Sequence, residues 1–135
     1  GAYSDQPPGA ADAGADVTVT DALDGLAMDL APAYGSVPGL GRYRRSVHLT
    51  DTGLTLRDET DYPGTVALTL MSVEMPVISG ACVHLGTLAE VKTDGASKIL
   101  VESVPITDAR LRQAWPDTLY RTRVYFCGTL SVEVW

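Results

Sequence analysis

Residues 29–59 read DLAPAYGSVPGLGRYRRSVHLTDTGLTLRDE, and their patterning decides the fold class. Val47 and Leu49 fall on one side of an alternating run, with Arg44, Ser46 and His48 on the other. After Asp51-Thr52-Gly53 the alternation resumes, with Leu54 and Leu56 facing in and Thr55 and Arg57 facing out. A period of two is the mark of a strand buried on one side. Two such runs around a short loop containing glycine are a β-hairpin, with Gly53 expected at its left-handed position. Upstream, Leu26 to Leu30 alternates as well, and the intervening loop carries Tyr34 and is broken by Gly35, Pro38, Gly39 and Gly41.

The same pattern extends outward. Short alternating segments recur at Val17–Thr20, Val66–Met71, Ala81–Leu85, Thr87–Val91, Lys98–Val104, Leu119–Phe126 and Thr129–Trp135. Thr93-Asp94-Gly95-Ala96 reads as a second hairpin turn and Cys127-Gly128 as a third. Asp108–Trp115 is the only helical candidate, with Asp108 able to cap it and Pro116 to stop it. Many short strands at regular spacing, with no βαβ alternation, predict an all-β antiparallel β-sandwich with one short helix. Residues 1–16, rich in Ala, Gly, Asp and Pro, read as a flexible lead-in to a sandwich domain over 17–135.

The chain of 135 residues is 45% hydrophobic and 20% charged, the balance of one globular domain. The net charge of −7 is unevenly placed. Residues 1–41 hold six acids and no base, so the remainder is nearly neutral. That distribution argues against a nucleic-acid or anionic-membrane binder, which needs a broad basic footprint. Cys82 and Cys127 lack metal-motif spacing and read as free thiols.

The candidate binding residues are Tyr34, Arg42, Tyr43, Arg44 and Arg45. Guanidinium groups pair bidentately with carboxylates or sulfates, and aromatic faces stack on sugar rings. The cluster therefore suits an acidic glycan, or alternatively a contact with a neighbouring domain. His48 and His84 read as ordinary strand residues, and Arg121 and Arg123 as partners of acids across the sheet. Trp115 reads as a core residue. No catalytic set, cofactor motif or metal site emerges from the spacing of the residues.

Two sets of residues resemble the heparinase II/III-like family of polysaccharide lyases. The first is Asp29-Leu30, Ala33-Tyr34, Arg45-Ser46-Val47-His48-Leu49 and Leu56-Arg57-Asp58. The second is Ile106 to Leu111, Trp115 and Leu119-Tyr120-Arg121. The family often has proline after the Ala-Tyr pair, where this chain has Gly35. The resemblance covers roughly residues 26–135. It implies the C-terminal β-sandwich part of a larger enzyme, packed on an N-terminal α-toroid and helping to line a cleft for uronate-containing glycan. In that family the eliminating groups are mostly carried by the toroid, so no catalytic residue is carried over. The alternative is a stand-alone carbohydrate-binding or structural β-sandwich module.

Overall fold

The computed structural model describes residues 15–35 and 37–135. The expected lead-in lies outside the described residues except for Ala15 and Asp16, which already belong to the first strand. Nine strands follow in order: β1 (Ala15–Val19), β2 (Gly25–Asp29), β3 (Tyr43–Leu49), β4 (Leu54–Thr60), β5 (Val66–Ser72), β6 (Val77–Ser79), β7 (Cys82–Leu85), β8 (Ala89–Pro105) and β9 (Thr118–Val134). They form one open antiparallel sheet in the order β1-β2-β3-β4-β9-β8-β7-β6, with β5 also paired to β9. The antiparallel all-β class is as the sequence reads. The ladder is continuous rather than divided into two separately bonded sheets.

The reason lies in two glycines that resemble turns in sequence and are not turns. β8 and β9 are each 17 residues long and run through Gly95 and Gly128 without reversing. Asp94 faces Ser131 and Ala96 faces Phe126, so residues 127–130 of β9 lie opposite Gly95 alone. Both glycines have positive φ, +94° and +73°. At the same place β9 exchanges its other neighbour, pairing with β4 over Thr129–Val134 and with β5 over Tyr120–Phe126. A strand that bulges and changes partner makes a corner. Residues from both sides of this corner are buried in one core. Leu68, Val124 and Phe126 from one side meet Val83, Val91, Leu130 and Val132 from the other, with Leu30 and Tyr43 closing the end.

Other expectations shift by local chemistry. Gly53 does not have positive φ; the position of a β-carbon there is instead taken by the Val134 carbonyl. The expected helix at Asp108–Trp115 is a single 3-10 turn over Leu111–Gln113. Asp108 Oδ1 accepts from the Arg110 backbone N–H at 2.8 Å, ahead of a turn that has no side-chain cap of its own. Leu111 and Trp115 are both 49% exposed, so Trp115 is not a core residue. A second 3-10 turn, Ala31–Tyr34, occupies the loop after β2 and buries Ala31 and Ala33. Both cysteines are free.

Arg121 and Arg123 pair across the sheet with Glu102, at 2.8 Å and 3.2 Å. The hydrogen bond from Arg121, helped by the charges of Arg121 and Arg123, holds the Glu102 carboxyl below its ordinary value against desolvation. A depressed folded pKa stabilises above the unfolded value, and that contribution is lost as pH falls through the folded one. Glu102→Gln should therefore show a shallower loss of stability on acidification below about pH 4.5 than the parent. Urea midpoints taken on either side of that pH check it.

Candidate functional site

The five residues singled out by sequence do not share one surface. Strand alternation places Tyr43 and Arg45 on the inner face of β3 with Val47, and Arg44 on the outer face with Ser46 and His48. Arg45 lies directly opposite Asp58 of β4. Asp58 is fully buried. It accepts from Arg45 Nε and Nη2, both at 2.7 Å, and from the Tyr43 hydroxyl at 2.7 Å. Arg45 Nη2 also donates to the Tyr43 hydroxyl oxygen at 3.2 Å. Tyr34 stacks on Tyr43 with ring centroids 6.0 Å apart.

This is a closed ion-pair cluster in the core wall. Burial and the neighbouring Asp58 carboxylate push the Tyr43 hydroxyl pKa well up, so it remains protonated and donating. Burial works against the Arg45 charge, but the hydrogen bonds and charge of Asp58 outweigh it and hold the guanidinium protonated. Tyr43, at 3% exposure, offers no face to a sugar. Arg42 and Arg44 remain at the surface side of the sheet. Arg42 is exposed, with its backbone N–H donating to Asp61 at 2.9 Å, and Arg44 lies in register between Asp29 and Glu59.

The outer face holds a feature that the sequence reading did not single out, a groove of about 510 Å³ across β1, β2, β3, β4 and β9. Two rows of outward residues define it. One row is Gly25, His48, Thr55 and Glu133; the other is Ala27, Ser46, Arg57 and Ser131. Its signal in the sequence is the run of small residues at outward positions of successive strands. Arg57 is held in place by Glu59, at 2.9 Å from Nη2, while its Nη1 donates to Ser131 Oγ at 3.3 Å.

The histidines are surface groups. His48 Nε2 lies 3.8 Å from Asp24, and His84 Nδ1 lies 3.3 Å from Glu90. Among the described residues no three His, Cys, Asp or Glu side chains converge on a point that could hold a metal ion. Among the described residues no helix is long and apolar enough to cross a membrane. The sequence matches no protein-family model and no curated protein.

Proposed function

We propose that this chain is the non-catalytic β domain of a heparinase II/III-like polysaccharide lyase, packing on an α-toroid and helping to line a cleft for uronate-containing glycan. The observation that supports the reading is an apolar strip that the bent half of the sheet leaves uncovered. Val19, Leu26 and Leu49 lie on the inner face of β1, β2 and β3, which elsewhere builds the core. They are 57%, 37% and 55% exposed. Leu23, in the turn before β2, adds to the same end of the sheet. Contiguous exposed apolar surface on a folded domain marks a contact site. The residue resemblance supplies the toroid as its occupant.

Leu49→Glu tests the reading because the two settings of the domain respond differently. In the 135-residue chain the side chain is already exposed, so stability should change by no more than about 0.5 kcal/mol. In the full-length gene product the charge lies in an interface, and limited proteolysis should release the β domain at least about tenfold faster than in the parent. Equal cleavage rates in parent and variant would sink the packing role.

A further inference from the structure

We infer that the outer groove is a binding site for a neutral oligosaccharide segment, distinct from any acidic-glycan contact at the domain boundary. The polar rows of the groove point away from the apolar strip, although Val19 and Leu26 of the strip also line it; this inference does not rest on the preceding reading.

Three observations carry it. The first is shape. A volume of about 510 Å³ is within the range of ligand sites. Ala27, Ser46 and Ser131 keep the floor low along one row, whereas the space above Gly25 is taken by Thr20 and His48. The second is the donor and acceptor set. Ser46, Thr55 and Ser131 carry hydroxyls that both donate and accept, Arg57 donates, and Glu133 accepts. Vicinal sugar hydroxyls, which also do both, match that mixture. Glu59 fixes the Arg57 guanidinium beforehand, which lowers the ordering cost of binding.

The third observation is charge. Two of the groove's ionisable groups already face an opposite one, Arg57 with Glu59 and His48 with Asp24, and Glu133 lies in backbone register with Lys92. A charged ligand must compete with these pairs, whereas a neutral polyol hydrogen-bonds beside them. Among the described residues no Tyr, Trp or Phe lines the groove, so the binding inferred from them rests on hydrogen bonds rather than ring stacking.

The test is an amide chemical-shift titration of the 135-residue chain. The probes are neutral tetrasaccharides of β-1,4-linked glucose, mannose and galactose, and a tetrasaccharide of galacturonate. At least one neutral probe should give saturable shifts centred on Ser46, Thr55, Arg57 and Ser131. The galacturonate probe should bind at least about tenfold more weakly. Ser46→Tyr, which fills the floor, should abolish the shifts. Arg57→Gln removes donors without adding bulk and should weaken binding at least about fivefold, so the test survives if the bulky variant fails to fold. Silence with every neutral probe, shifts centred elsewhere, or galacturonate binding as tightly as the best neutral sugar would each overturn the inference. Full-length lyase activity accompanied by a silent groove removes this inference alone. A bound groove in a full-length protein without lyase activity removes only the reading above.

Discussion

Asp58→Ala is expected to destabilise the fold by about 3 kcal/mol, the lower end of the range for breaking a buried ion pair. The lower end applies because the Arg45 side chain is 26% exposed and can still reach water once its partner is gone. The Tyr43 hydroxyl cannot, being buried in the same wall. Its lost acceptor adds to the cost. With a urea slope of about 2 kcal/mol/M, the midpoint should fall by roughly 1.5 M. Asp58→Asn keeps the shape and one acceptor and should lose about half as much. The triple variant Asp58→Leu, Arg45→Met and Tyr43→Phe removes both charges and the hydroxyl they satisfy, and should recover most of the stability. A single Asp58→Ala variant that melts like the parent would show that the cluster contributes nothing to the fold.

Gly95→Ala should be the most damaging small substitution at the corner, costing about 2–3 kcal/mol. Two penalties act together. The backbone sits at φ +94°, and a β-carbon there would lie 2.5 Å from the Thr129 carbonyl oxygen. That oxygen belongs to the main chain of β9, so relief requires moving the strand that pairs with β4, β5 and β8. Gly128→Ala is the internal control. Its φ is +73°, but nothing lies within 4 Å of the added carbon, so about 1 kcal/mol of backbone strain is expected. Thermal or urea melts of the two variants measure the difference. Equal losses would mean that close approach of the strands does not hold the corner.

Much of the first half of the sheet is legible in the sequence. Leu49 and Leu54 close the hairpin, and counting back from them places Arg45 opposite Asp58. Alternation also puts both on the side of Val47 and Leu56. The charged pair in the core was therefore readable, although composition makes arginine look like a surface residue. Charge alone misleads here, because a cross-strand partner at hydrogen-bond distance makes the inward position tolerable.

The corner was not legible, for a physical reason. A glycine between two alternating runs satisfies either a reversal or a bulge, and only the long-range partner decides which. Gly95 and Gly128 face each other's strands, so each explains the other, but neither reveals this from its own neighbours. Strands of 17 residues also exceed the usual length, which favours reading each as two. The groove is not legible in the sequence, because small outward residues such as Gly25, Ala27, Ser46 and Ser131 mean little until the register aligns them in rows. Arg44 was correctly placed at the surface, but between Asp29 and Glu59 rather than beside Tyr43 and Arg45.

The most direct measurement of the account compares release of unsaturated uronate ends from uronate-containing polysaccharides by two proteins side by side. One is the full-length gene product and the other is the 135-residue chain. On the proposed reading the full-length protein releases such ends and the chain does not, because the family resemblance assigns the eliminating groups to a toroid. Turnover by the chain alone, or a full-length product inactive on every uronate polysaccharide tried, would contradict it.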